Sequence, residues 1–162
     1  MLMALLAAAL LAIFATTPPE ATPSDAPLRS FSAMRAMADV GTMAKHPHVT
    51  GSAENAVVRD HILRRMEALG MEVSTSTGVI DAKGTKRLNK WSGRNDPPAT
   101  LVNLIGILPG KNRNAPSVVL MSHHDTVWGS PGAADDASGV AASLEVVRAI
   151  RARGQQERDL VM

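Results

Sequence analysis

An α/β layered fold is what this sequence predicts, and three observations carry the prediction. Segments with helical periodicity alternate with short apolar or alternating runs of strand length. A continuous apolar run, Ser117 to Met121, has the composition of a strand buried on both faces of a sheet. That run is followed at once by Ser122-His123-His124-Asp125, and open α/β sheets bind their ligands at the carboxyl edges of their strands.

The 162 residues suffice for one domain with its own core. With 45% hydrophobic but only 2% aromatic residues, that core has to be built from Leu, Val, Ile, Ala and Met. A net charge of +2 gives no footing for a nucleic-acid partner, and the absence of cysteine excludes disulfides and thiolate metal sites.

Met1 to Ala15 is apolar without exception. The run suits a signal-peptide core better than a full crossing, which takes about 20 residues. No Lys or Arg precedes it and no A-x-A site follows it, so an uncleaved anchor is favoured over a removed signal. Either way the remainder is placed on the non-cytoplasmic side of a membrane. Residues 16–28, rich in Pro, Thr and Ser, read as a linker. The folded part is then expected over 29–162.

A helix is predicted from Arg29 to Met43, with Phe31, Met34, Met37 and Ala38 near one face. Pro47 and Gly51 make the following stretch a loop, and Ser52 is an N-cap candidate with Glu54 in the first turn. Val58, Ile62, Met66 and Leu69 then recur at helical spacing, and Gly70 is placed to end that helix. Met71, Val73, Thr75, Thr77 and Val79 alternate as a half-buried strand. Residues 81–99 are polar and basic and read as a solvated loop, in which Trp91 either pins the loop or shapes a cleft. Leu101 to Leu108 is strand-like and closed by Pro109-Gly110. A helix spans Ser138 to Arg153 with Val140, Leu144 and Val147 inward and Gly154 as its stop; Asp159 to Met162 opens a new strand.

The chemistry concentrates in His123, Asp125 and Asp135. Residues two apart on a strand share a face, so His123 and Asp125 can touch while His124 points away. An imidazole and a carboxylate from separate loops form ordinary zinc ligation, with a second carboxylate orienting the ring. Spacing alone leaves the alternatives open. A histidine at a strand end can be merely hydrogen-bonded, and Asp135-Asp136 can equally serve as a helix N-cap.

SHHDTVWGSPGAADDASGVAASLEVVRAI resembles the signature of M28 metallopeptidases, a His-x-Asp strand end followed by Asp-Asp-Ala-Ser-Gly opening a helix. HPHVTGSAENAVVRDHILRRMEALGMEV is similar to the membrane-bound branch of that family, the endoplasmic-reticulum and vacuolar enzymes and their bacterial relatives. M20 amidohydrolases share the first motif but not the second.

The resemblance implies a three-layer α/β/α zinc-exopeptidase-like sheet, incomplete here, and an aminopeptidase acting on the N-terminal residue of a peptide. It implies two Zn²⁺ per complete site. His123 would be a ligand of one ion and Asp135 the bridge between both. Asp125 would be the catalytic-site partner of His123, and Asp136 with Ser138 and Gly139 would support the loop. A cis peptide between Asp135 and Asp136 is implied as well. The family's Glu-Glu pair and later ligands have no counterpart within these residues, so the expectation is a chain cut short and inactive by itself. Two other readings stand beside this one: a membrane-anchored module that binds a peptide or partner without catalysis, and an M20-like amidohydrolase.

Overall fold

The structure is a computed structural model and describes residues 2–162. Helix α1 (Leu2–Thr16) lies outside the folded body and has no buried residue. Its composition is apolar on every side. At 15 residues it is about 22 Å long. Among the described residues no helix is long and apolar enough to cross a membrane.

Helix α2 (Ala33–Met43) starts at Ser32, whose hydroxyl caps the Arg35 N–H. Its start lies four residues later than expected, and the inward face also differs. Ala36, Val40 and Met43 are buried, whereas Phe31, Met34 and Met37 are 39%, 50% and 54% exposed. The turn is set by Asp39, which is buried on the same side and receives His61 Nε2 and the Arg65 guanidinium from the next helix. Burying that cluster points the Met34 and Met37 stripe outward.

Helix α3 (Ala53–Ala68) follows expectation closely. Ser52 caps Asn55 N–H, Val58, Ile62, Met66 and Leu69 are all buried, and Gly70 leaves the helix at φ +75°. Strand β1 (Glu72–Val79) pairs antiparallel with β2 (Thr100–Leu108) over their full length. Only the start of β1 meets the core, through Met71 and Val73; Thr75, Thr77 and Val79 stay exposed, because the hairpin runs beyond the helices that would cover it.

Between the hairpin strands the expected loop is instead helix α4 (Ala82–Ser92). Asp81 caps the Gly84 N–H, and Gly93 closes the helix at φ +68°. Those terminal signals outweigh the polar composition between them. None of its residues is buried, so the segment is solvated as expected although its backbone is ordered as a helix. Trp91 neither pins a loop nor lines the central groove. It lies 59% exposed beneath Arg87, whose guanidinium stacks 4.2 Å from the ring centre.

Strand β3 (Val118–Val119) is shorter than predicted and is not buried on two faces; Val118 and Val119 are 46% and 63% exposed. It is the edge of a four-stranded sheet of order β1-β2-β4-β3 and pairs only with β4 (Leu160–Val161). An apolar run reveals how a strand wants to be covered, and here no described residue covers that face. Helix α5 (Ser138–Arg151) makes the crossover between these parallel strands. Val140, Ala141, Leu144 and Val147 are at most 3% exposed, and α5 joins α2, α3, Leu160 and the inner side of the sheet in one core.

Residues 22–28 of the stretch read from composition as linker, together with Arg29 and Ser30, are tied to the body. Ser32 Oγ donates to the carbonyls of Thr22 and Pro23, and Arg35 reaches those of Ser24, Ala26 and Ser30. Arg148 of α5 holds the carbonyls of Leu28 and Ser30. Glu145, 3% exposed, anchors the arrangement by accepting from Ser32 N–H, Arg35 and Arg148.

Candidate metal centre

The last residues of the β3 segment carry Ser122-His123-His124-Asp125 out of the sheet, and a wide turn over Ala133–Ala137 returns the chain to the same edge. Two glycines permit that return. Gly132 sits at φ +67°, and a side chain there would strike Thr126 and the Asp135 carbonyl. A methyl group on Gly139, in the first turn of α5, would collide with the Asp136 carboxylate.

His123 and Asp135 meet at this edge. Nε2 of His123 lies 2.9 Å from Asp135 Oδ1, and the Asp135 carboxylate is otherwise open to solvent, with its side chain 89% exposed. The ring's other nitrogen, Nδ1, lies 3.1 Å from the backbone carbonyl of Asp125 and 3.3 Å from its Oδ1. Asp125 therefore holds the ring with its main chain as well as its side chain. Burial alone would lower the His123 pKa; the bonds to Asp135 and to the Asp125 carbonyl, with the charges of Asp125 and Asp136, outweigh it and raise the pKa above the usual 6.5.

Asp136 does two jobs. Oδ2 accepts from His123 N–H at 3.1 Å and Oδ1 accepts from Gly139 N–H at 3.2 Å, so it caps α5 while fixing the backbone of the histidine. The N-cap alternative raised for this acidic pair thus describes Asp136 and not Asp135. The Asp135–Asp136 peptide is cis. Ser138 donates back to the Ala134 carbonyl.

His124 points the other way, as strand alternation requires. Asn55 Nδ2 lies 3.1 Å from its Nδ1, and its Nε2 lies 3.0 Å from the Val102 carbonyl. Asn55 is buried, at 1% exposure, and donates also to the carbonyls of His48 and His124. It is a bracing residue that sequence reasoning passed over, since an Asn in the first turn of a helix looks like surface. Thr50 was likewise missed; its hydroxyl donates to Asp125 Oδ2 at 2.8 Å. A loop residue 75 positions away leaves no local signal of that contact.

The donor chemistry at the edge is one imidazole nitrogen and one solvent-facing carboxylate converging on a shared point, which fits a borderline cation such as Zn²⁺. Among the described residues no group of three or more His, Cys, Asp or Glu side chains could hold a metal ion.

Residues 103–162, which contain this edge, match Peptidase family M28. Over those residues the chain belongs to that family. The M28 chain is also 32% identical over 128 residues to a vacuolar membrane protease of Lodderomyces elongisporus, covering 76% of this chain and 13% of that protein. A vacuolar membrane protease of Schizosaccharomyces pombe is 30% identical over 137 residues, 83% of this chain and 16% of that protein. The M28 chain thus spans about one seventh of the length of the curated relatives it matches.

Solved structures agree on the fold. A zinc aminopeptidase of Bacillus subtilis superposes with a TM-score of 0.66 at 14% identity, over 83% of this chain and 61% of that one. An aminopeptidase of Aneurinibacillus sp. strain AM-1 gives 0.65 at 14%, over 81% and 61%. A glutaminyl cyclase of Porphyromonas gingivalis gives 0.61 at 25%, over 82% and 45%. The fold is therefore the zinc-aminopeptidase-like α/β fold expected for the M28 chain.

Proposed function

We propose that this M28 peptidase chain contributes the first half of a zinc site that hydrolyses N-terminal peptide bonds. The observation that carries the reading is the 2.9 Å approach of His123 Nε2 to Asp135 Oδ1 at the strand edge. Had the ring and carboxylate faced opposite sides of the sheet, the reading would fail. His123 and Asp135 would hold the cation, with Asp135 free on its other oxygen to bridge a second. When bound, the metal would supply Lewis acidity toward the scissile carbonyl and a water of lowered pKa.

The chain's own residues do the preparatory work. Asp125 keeps Nδ1 of His123 engaged, so that Nε2 is the nitrogen presented at the edge. Asp136 fixes the histidine backbone against the start of α5. Thr50 keeps the Asp125 carboxylate from swinging into solvent, and the Asn55–His124–Val102 bonds brace the loop behind it. Two donors make a weak site, so the 162-residue chain by itself is expected to bind zinc loosely and to hydrolyse nothing.

Leucyl-peptide hydrolysis by the purified chain with added zinc tests the last point; turnover abolished by His123→Ala would overturn it. Zinc titration followed through the His123 ring resonances by NMR tests the first. Shifts at His123 absent in Asp135→Asn support it, and an unmoved ring overturns it in favour of a non-catalytic peptide-binding module.

Membrane attachment through α1, with the peptidase part on the non-cytoplasmic side, belongs to the same proposal. It is supported by an apolar helix standing clear of the body and by relatives named as membrane proteases.

A further inference from the structure

Residues 17–30 decide how freely the folded body hangs from α1. Thr17 N–H still bonds to Ile13, and Thr22 is already held: its carbonyl accepts from Ser32 Oγ and from Met34 N–H. Only Pro18, Pro19, Glu20 and Ala21 lie between. Five Cα steps reach at most about 17 Å, and the proline pair stiffens part of that span. Beyond Thr22 the segment is clamped by Arg35, Arg148 and Glu145, so no slack follows. Whatever medium holds α1 therefore lies within one short tether of the first turn of α2.

That turn is apolar on its outer side. Leu28 is 68% exposed, Phe31 39%, Met34 50% and Met37 54%. Met34 and Met37 stand on successive turns of α2, Phe31 lies just before its N-cap, and Leu28 sits in the clamped segment before them. Arg29 and Arg153 flank the patch, both exposed and joined where Arg153 Nε donates to the Arg29 carbonyl at 3.0 Å. An apolar stripe bordered by cations fits a bilayer interface carrying anionic headgroups.

We infer that the face formed by Leu28, Phe31, Met34 and Met37 rests on the lipid bilayer that holds α1, so that the strap over residues 22–30 sets one orientation of the body on the membrane. The inference rests on the membrane attachment proposed above and is independent of the metal site.

The chain has no cysteine, so single cysteines can carry an environment-sensitive fluorophore at chosen positions. Labels at Leu6→Cys in α1, Met37→Cys on the patch and Asp60→Cys on the exposed side of α3 are compared in the full chain. The vesicles are phosphatidylcholine and phosphatidylglycerol containing doxyl-labelled phospholipid as quencher. Circular dichroism of each labelled chain confirms that the fold persists.

Quenching at positions 6 and 37, with position 60 unaffected, is the expected result. Quenching at 6 alone overturns the inference while leaving membrane attachment intact; the patch then faces water or another protein surface. Blue-shifted but unquenched labels at both 6 and 37 overturn it in favour of α1 lying on the patch. No quenching and no shift at either position removes the attachment itself, and the inference with it.

Discussion

Thr50 contributes one hydroxyl to the site and hydrogen-bonds to neither His123 nor Asp135, yet it holds the carboxylate that steadies the histidine. Outer partners of this kind are commonly worth 10–100-fold in metal affinity. Asp125→Ala is expected to weaken zinc binding by about that factor, and Thr50→Val by about tenfold or less, with Thr50→Ser close to the parent; zinc titration by NMR reads all three. The His123 ring should titrate above 6.5, because Asp135 and the Asp125 carbonyl favour its charged form over the opposing effect of burial. The sign follows directly. A raised folded pKa stabilises the fold at low pH, and the contribution is lost as pH rises through the folded value. Zinc competes with that proton, so its affinity should climb over the same interval. Asp135→Asn should move the ring's titration downward, which proton NMR measures without any metal present.

At the scale of elements, Glu145 on α5 is the residue on which the strap depends. Burial pushes its carboxyl up, but the bonds from Arg148, Ser32 N–H and Arg35 prevail and hold its pKa below the usual 4.5. A depressed carboxylate stabilises the fold above that value and loses its contribution as pH falls through the folded one. Protection of the Ser32 and Met34 amides against exchange, relative to the intrinsic rate, should therefore fall only below about pH 4.5. Glu145→Gln leaves two guanidinium groups short of their counter-ion and is expected to cost about 3–5 kcal/mol in urea unfolding. The same network explains why the segment's tie was hidden in the sequence. Its prolines and small residues look unstructured, and the Ser32 and Arg35 groups that bind its carbonyls are themselves set by Glu145 and Arg148, more than a hundred positions away on α5. By contrast, α3 was fully legible, since Ser52, the Val58–Ile62–Met66 spacing and Gly70 are all local signals. Helix α4 was missed, because charge run and surface helix share one composition; its end signals, Asp81 and Gly93, went unread.

For the molecule as a whole, one core joins three helices to the sheet, so its loss should be cooperative. Leu144→Ala, at a position with no exposure, is expected to cost about 2–5 kcal/mol in urea unfolding monitored by circular dichroism. The α/β class and the strand-end position of His123 followed from pattern alone, because alternation and edge chemistry are properties of short segments. Which faces of β1 and β3 are covered did not, because covering depends on what other elements lie overhead. The apolar run at Ser117 to Met121 shows the difference most sharply: its composition describes a buried strand, and its neighbours leave Met121 92% exposed.

One consequence of the strand order is a groove beside Val102. Strand β4 pairs with β2 at Ile107–Leu108 and with β3 at Val118–Val119, and a groove of about 430 Å³ lined by Leu104, Val102, Leu120 and Met121 lies between β2 and the β3 segment. Two ledges of main-chain donors and acceptors face each other there, with Val102 already lending its carbonyl to His124. Any extended polypeptide laid between them would run antiparallel to one ledge and parallel to the other, closing the sheet by backbone bonds that ask little of its sequence.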